Sequence, residues 1–237
     1  MWLSASAIRT ETERHLYMKR AIVFDMDGVV FDTERIYRMA WRRAADDLGG
    51  IPEIDADIRV CTGRNNADIG TYFHGKYGKE FPYETLMARR SVHIDEYIRA
   101  NGLPFKPGVP EIFSWLHGNG FLVALATSTN QKRAGEYLER AGIRDSFDRV
   151  ITGNMVAHSK PSPDIYLKAC EELGVLPEES VAVEDSPNGL LSGHAAGMTT
   201  VMIPDLISPK EVPAETVSFV CRDMEALKAV LLKLNCK

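Results

Sequence analysis

Cysteine clusters, long apolar runs and an excess of positive charge are all lacking in this chain of 237 residues. The four cysteines, Cys61, Cys170, Cys221 and Cys236, form no Cys-X-X-Cys pair and no Cys/His cluster, which excludes a dense disulfide framework and a zinc site of the usual spacing. No apolar run approaches the length that crosses a bilayer. The formal net charge of −5 argues against a dedicated binder of nucleic acid or anionic membranes.

We therefore expect a cytoplasmic protein with reduced thiols, whose partners are small polar molecules and neither nucleic acid nor membrane. The hydrophobic fraction of 45% is enough for a core, and a monomer or weak homo-oligomer is expected. Residues 1–17 lack the continuous apolar segment of a signal peptide, and we interpret them as an N-terminal extension.

Two carboxylates directly follow a short apolar run near the start of the chain. Ala21–Phe24 reads AIVF, which is typical of a buried strand, and Asp25 and Asp27 come where that strand would end. Gly28 then permits a tight turn or the close approach of a ligand. A helix cap with a solvated turn is the alternative interpretation, and the acid pair alone leaves both open.

Paired carboxylates repel each other unless a cation or hydrogen-bond donors compensate their charge. Mg²⁺ is suited to this role, because it prefers oxygen ligands and is commonly held by one or two carboxylates together with a substrate phosphate. With the charge compensated, one carboxylate can attack phosphorus and the other can move a proton. The acid pair is therefore compatible with phosphoryl chemistry.

Farther along the chain, strand patterns alternate with helical patterns. Strands are predicted in FLVALAT, DRVITG, SVAVED, TTVMIP and SFVC. This alternation predicts an α/β fold with a doubly wound parallel sheet, a Rossmann-like core. Helical patterns rich in aromatic residues fill positions 35–104, so we expect an α-helical cap domain inserted into a core made of residues 18–34 and 105–237.

Hydroxyl, amide and ammonium groups follow two of these predicted strands. Thr127 ends FLVALAT, and Ser128 and Asn130 come at the start of the next helix, where backbone N–H groups suit a phosphate. Ordinary capping by Ser128 or Thr129 is the alternative. Lys160 precedes another helix start, where its charge could hold phosphate oxygens or fix the nucleophilic carboxylate; a surface lysine is the alternative.

A second acid pair, Glu184 and Asp185, ends SVAVED. With it, all of these polar groups fall at the carboxyl ends of predicted strands or in the loops beyond. With these polar groups in this order along the sequence, the chain resembles a haloacid dehalogenase superfamily hydrolase of the β-phosphoglucomutase-like phosphatase subgroup with a helical cap. The matching motifs are FDMDGVVFDTE, LATSTN, SKPSPDIY and VEDSPNGLLSGHAAGM, and the resemblance covers residues 19 to about 235.

The resemblance implies a phosphatase for small phosphorylated metabolites of the sugar or polyol type. Asp25 would attack phosphorus, and Asp27 would protonate the leaving alcohol and then activate water. Thr127 and Lys160 would hold phosphoryl oxygens. Ser128 and Asn130 would line the same phosphate site.

The resemblance also implies a metal cofactor. Mg²⁺ would be bound by the Asp25 carboxylate, the Asp27 backbone carbonyl and Asp185, with Glu184 as a further or outer-shell ligand.

The predicted cap departs from the mutase pattern at two positions. A histidine twelve residues after the nucleophile becomes Tyr37, and the cap arginine three residues after a glycine becomes Asn66, although Arg64 lies nearby. A plain phosphatase is therefore favoured, with a sugar-phosphate mutase as the alternative. Arg64, Asn65 and Asn66 are predicted to reach into the site.

Three other classes remain to be compared. A 2-haloacid dehalogenase needs no metal, which Asp27 and the Glu184-Asp185 pair argue against. A phosphonatase would need a cap lysine, for which Lys76 or Lys79 are available. A receiver-like phospho-accepting switch is the alternative outside enzymes, but its phosphoacceptor lies on a later strand than its metal-binding acids, and it has no large helical insert.

Overall fold

The fold is described here from a computed structural model, in which residues 18–62, 64 and 66–235 are described. The predicted N-terminal extension, together with Gly63, Asn65 and Cys236, lies outside the described residues. In chain order the helices and strands are β1 (Ala21–Phe24), α1 (Glu34–Asp47), α2 (Ile54–Cys61), α3 (Asn66–Tyr77), α4 (Tyr83–Asn101), α5 (Val109–Gly118), β2 (Leu122–Thr127), α6 (Gln131–Arg140), β3 (Arg149–Thr152), α7 (Asp164–Leu173), β4 (Ser180–Glu184), α8 (Pro187–Ala195), β5 (Thr199–Met202), β6 (Phe219–Val220) and α9 (Met224–Asn235).

The strands form one parallel sheet in the order β3-β2-β1-β4-β5-β6, which confirms the predicted doubly wound α/β fold. At the carboxyl end of β1, Phe24 lies opposite Leu125 of β2 and Val183 of β4. The chain order reverses direction at β1, and such a switch point leaves a crevice beyond the strand ends. The acids that follow β1 therefore begin in that crevice.

Both faces of the sheet are covered by helices. Ile22 and Phe24 face a cluster that includes side chains of α5, α6 and α9, whereas Ala21 and Val23 face a cluster that includes α7. Because side chains alternate along a strand, a strand with helices on both sides needs apolar residues at every position. This explains why β1 reads AIVF without a polar residue.

Helices α1 to α4 lie between β1 and α5 and have an apolar cluster of their own, in which the rings of Trp41 and Phe73 stack with centroids 5.5 Å apart. The chain enters and leaves this helical insert side by side. Phe31 forms a bridge with Phe105, and the Asp32 amide donates to the Pro104 carbonyl at 3.0 Å. The exact division into core and cap at residues 34/35 and 104/105 stays a prediction.

Among the described residues, no helix combines the length and the apolar character that a membrane span requires. The described cysteines, Cys61, Cys170 and Cys221, are buried free thiols.

Candidate active site

Asp25 lies at the carboxyl end of β1, at the floor of a cavity between the sheet and the helical insert. Its backbone amide still donates to the Val183 carbonyl at 2.9 Å, so the position of Asp25 is fixed by the sheet. One Asp25 carboxylate oxygen accepts a hydrogen bond from the Asp27 amide at 3.1 Å. The turn then closes through the Gly28 amide, which donates to the Phe31 carbonyl at 2.8 Å.

Lys160 reaches Asp25 from a loop 135 residues farther along the chain. Its ammonium group lies 2.5 Å from an Asp25 carboxylate oxygen, 2.6 Å from a Glu184 oxygen and 2.9 Å from the Ala126 carbonyl. Lys160 is only 2% exposed. Although burial opposes its charge, the Asp25 and Glu184 carboxylates outweigh that effect and raise the pKa of Lys160. All three ammonium hydrogens therefore have protein acceptors.

Glu184 is held by donors on both of its oxygens. One oxygen accepts from Lys160 and, at 2.8 Å, from the Tyr166 hydroxyl. The other accepts from the backbone amides of Asp185 and Ser186 and from the Ser186 hydroxyl, at 3.2 to 3.4 Å. With its oxygens engaged in this way, Glu184 is better suited to orient Lys160 than to bind a metal directly.

Asp185 differs from Glu184, because no hydrogen bond to its carboxylate is found in the described part of the chain. It is 3% exposed, and oxygens of Asp25, Glu184 and Asp185 lie within 4.8 Å of one another. Burial, together with the neighbouring acids, raises the pKa of Asp185, and burial raises the pKa of Asp25 to about 7 against the opposing effect of Lys160. A divalent cation with oxygen ligands would compensate these charges, so the residues present fit Mg²⁺.

Asp27 is surrounded by hydroxyl donors. One carboxylate oxygen accepts from Thr33 at 2.7 Å and from the Tyr37 hydroxyl at 2.8 Å, and the other accepts from Thr129 at 2.9 Å. The sequence interpretation missed these three partners. In the sequence, Thr33 and Thr129 are simply polar residues next to helix starts. Tyr37 is noticeable only because it departs from the mutase pattern.

Thr127, Ser128 and Asn130, the residues predicted for a phosphate site, all line the cavity. The alternative of a cap supplied by Ser128 or Thr129 is wrong. Asn130 is the N-cap of α6, and its side-chain oxygen accepts from the Arg133 amide at 3.1 Å. The Thr129 hydroxyl donates to Asp27 at 2.9 Å.

The cavity has a volume of about 430 Å³, within the range of small-molecule sites. Arg64 and Asn66 line it from the helical insert, as expected, while Asn65 lies outside the described residues. Neither Lys76 nor Lys79 is among its described lining residues. Lys76 instead forms ion pairs with Glu53 and the buried Asp57, so the phosphonatase alternative has no cap lysine in the cavity.

Hydrogen bonds join the insert to the sheet domain. The Ser159 hydroxyl donates to Asp68 at 2.8 Å, and the Asn188 amide donates to the Thr62 carbonyl at 3.2 Å. These hydrogen bonds join the insert to the loop that carries Lys160 and to the helix that follows Asp185.

A family model described as haloacid dehalogenase-like hydrolase matches residues 19–197. The chain belongs to this family. The hydrolase is 34% identical over 182 residues to the phosphorylated carbohydrates phosphatase of Thermotoga maritima, a match that covers 76% of this chain and 83% of the relative.

Solved structures of the family have the same fold. CbbY of Rhodobacter sphaeroides, solved in complex with phosphate, superposes with a TM-score of 0.73 at 27% identity and covers 87% of this chain and 95% of its own. A Thermotoga maritima protein provisionally called β-phosphoglucomutase gives a TM-score of 0.70 at 29% identity, over 89% of this chain and 98% of its own. The hydrolase is an enzyme of the phosphoric monoester hydrolase class, which excludes the non-enzymatic switch.

Proposed function

We propose that this hydrolase releases phosphate from a small phosphorylated sugar or polyol, with Mg²⁺ as cofactor and an aspartyl-phosphate on Asp25 as intermediate. The observation that carries the proposal is the contact between Lys160 and Asp25. A buried ammonium group fixes one carboxylate at the floor of a polar cavity, next to a second acid that lines the same cavity. The relative's action on phosphorylated carbohydrates supports the substrate class.

Asp25 is the nucleophile in this proposal. An Asp25 oxygen attacks phosphorus, the new O–P bond forms as the bond from phosphorus to the leaving oxygen breaks, and Asp27 gives its proton to that oxygen. Asp27 then takes a proton from water, whose oxygen attacks the aspartyl-phosphate and frees inorganic phosphate and the Asp25 carboxylate. The hydroxyl donors around Asp27 hold it in position for both steps.

Mg²⁺ would be held by Asp25, the Asp27 backbone carbonyl and Asp185, with Glu184 outside the direct ligands. When bound, the ion supplies positive charge against the phosphoryl oxygens and the clustered carboxylates. Thr127 would contribute a hydroxyl to the phosphoryl group. Lys160 would first of all fix Asp25, since its hydrogens already have protein acceptors.

The test is hydrolysis of p-nitrophenyl phosphate and of a panel of sugar and polyol phosphates, with and without Mg²⁺. We expect activity that EDTA abolishes and added Mg²⁺ restores. Asp25→Asn should lower kcat by at least about 10³-fold, because an amide is neither a comparable nucleophile nor a charged ligand. Asp46→Asn, at an exposed carboxylate of α1, is the control. An Asp25→Asn variant with most of its activity would refute the nucleophile assignment.

A sugar-phosphate mutase is the second candidate, supported by the β-phosphoglucomutase-like structural neighbour. Tyr37 and Asn66 stand where the mutase pattern has a histidine and an arginine, and for this reason the phosphatase is preferred. Conversion of β-glucose 1-phosphate to glucose 6-phosphate faster than release of inorganic phosphate would reverse that preference. A cytoplasmic location and a monomeric or weakly associating state remain predictions.

A further inference from the structure

Arg90 of α4 faces the cavity with no acidic partner. Its guanidinium carbon lies 4.8 Å from the centroid of the Tyr37 ring and 4.9 Å from that of Trp41, so the cation lies over two aromatic rings. Its Nε atom is buried and has no hydrogen-bond partner among the residues that the structure describes. Within the described residues, Arg90 takes part in no hydrogen bond and no ion pair.

The other buried or half-buried cations of the cavity are paired. Lys160 has Asp25 and Glu184, and Arg133 lies 3.4 Å from Asp95. Arg64 is exposed to solvent, where a cation needs no partner. Arg90 is thus the exception, because charges withdrawn from water are ordinarily paired or hydrogen-bonded.

The nearby acids do not supply the missing partner. Glu34 and Asp27 are close enough to act on Arg90 electrostatically, yet neither forms an ion pair with it. The Asp27 oxygens already accept from Thr33, Tyr37 and Thr129. An anion that enters the cavity would supply the missing acceptor for Arg90.

We propose that Arg90 binds a second anionic group, a carboxylate or a second phosphate, at the end of the substrate away from the phosphoryl group that faces Asp25. This rests on the proposed phosphatase function and narrows its substrate class to doubly anionic sugar or polyol derivatives. The two rings engage the guanidinium charge without accepting an ordinary hydrogen bond from it, so its N–H groups remain available for a carboxylate or phosphate.

The experiment compares three six-carbon substrates that differ only at one end: glucitol 6-phosphate with a hydroxymethyl group, 6-phosphogluconate with a carboxylate, and glucitol 1,6-bisphosphate with a second phosphate. We expect kcat/KM of the wild-type enzyme to be about 10-fold or more higher for at least one doubly anionic substrate than for glucitol 6-phosphate, since hydrogen bonds to charged groups are the stronger ones. The substrate with the larger advantage identifies the anion.

Arg90→Gln should lower kcat/KM for that substrate by about 10- to 100-fold, mainly through KM, and change glucitol 6-phosphate less than about 3-fold. Arg90→Lys should restore part of the preference. Arg89→Gln, at the exposed arginine next to it on α4 and absent from the cavity lining, is the matched control and should behave as wild type.

If Arg90→Gln lowered kcat/KM equally for all three substrates, Arg90 would only pack on the aromatic rings, and the proposal would be overturned. A wild-type preference for glucitol 6-phosphate would overturn it too. In both cases phosphate release persists, and the proposed function stands. Failure to hydrolyse any phosphomonoester would refute the proposed function itself, and this inference with it.

Discussion

The Asp185 carboxylate fills the space that a side chain on Gly28 would need. A Cβ atom at Gly28 would lie 2.3 Å from a carboxylate oxygen of Asp185, and Gly28 has a φ of +85°, in the left-handed region. Asp185 and Asp25 can come together only because the turn after β1 carries no side chain at this point.

Gly28→Ala should therefore displace Asp185 and weaken Mg²⁺ binding by at least about 10-fold, measured from the Mg²⁺ dependence of phosphate release. Gly49→Ala is the control, since Gly49 has a φ of +88° with no atom within 4 Å of the added Cβ. Both variants strain the backbone by about 1 kcal/mol, and only the first meets Asp185. Equal Mg²⁺ dependence in the two variants would contradict this reading of the turn.

Lys160→Met should remove activity and destabilise the fold at the same time. Without the ammonium group, the buried carboxylates of Asp25 and Glu184 lose their shared counter-ion, a change that costs roughly 3–5 kcal/mol. Urea unfolding measures the loss. Glu184→Gln in the Lys160→Met background should recover part of it, because one uncompensated charge is removed.

Lys168→Met serves as the comparison for Lys160→Met. Lys168 forms a surface pair with Glu172 at 3.1 Å on α7, and such pairs contribute less than about 1 kcal/mol. If the two lysine variants unfold at the same urea concentration, Lys160 does not have the structural role assigned here.

Tyr37→Phe should lower kcat about 10-fold and leave KM within about 3-fold, because it removes the hydroxyl that donates to Asp27 at 2.8 Å and leaves the ring that stacks under Arg90 in place. Steady-state kinetics on one phosphorylated sugar measures both constants. Tyr97→Phe, at a position of α4 that is 37% exposed, is the control. An unchanged kcat would mean that Thr33 and Thr129 orient Asp27 without Tyr37.

Asp57 makes the stability of the helical insert sensitive to acid. Its carboxylate is buried and accepts from Lys76, from Tyr72 at 2.7 Å and from Tyr77 at 2.5 Å. Although burial opposes ionisation, these donors lower the pKa of Asp57 below its ordinary value of 3.8. As the pH falls, the unfolded state therefore binds a proton before the native state does. The contribution of the Asp57 carboxylate to stability is present above about pH 4 and is lost as the pH falls through the pKa of Asp57 in the native state.

Asp57→Asn should accordingly lower the midpoint of thermal unfolding at pH 7. Between about pH 4 and pH 2 the midpoint of this variant should then fall less than that of the wild type. Asp55→Asn is the matched change on the same helix, since Asp55 is exposed and pairs with Arg42 on the surface. Identical pH profiles for the wild type and the Asp57→Asn variant would refute the assignment.

Much of the fold could be predicted because its signals are local. The apolar runs that precede Asp25, Thr127 and Asp185 each form a strand of the sheet, and parallel strands bring their carboxyl ends to one edge. The prediction for Lys160 depended on the same geometry, because Lys160 lies in a loop that follows the carboxyl end of a strand.

The hydrogen bonds within the site could not be predicted in this way. Thr129 and Asn130 have similar capping preferences, yet Asn130 caps the helix while the Thr129 hydroxyl donates to Asp27, about a hundred residues away. Likewise, the stacking of Arg90 on Tyr37 depends on how two insert helices pack, which no single helical pattern encodes.

The bridge between Phe31 and Phe105 has a consequence for how such a protein can be rebuilt. It brings the two ends of a long excursion of the chain next to each other, so the excursion behaves as a cassette attached through a narrow neck. A different cassette of any length could be grafted at that neck without altering the register of a single strand. Choice of substrate can thus be exchanged at this neck, provided that the new cassette keeps a donor to Asp27 in the place of Tyr37.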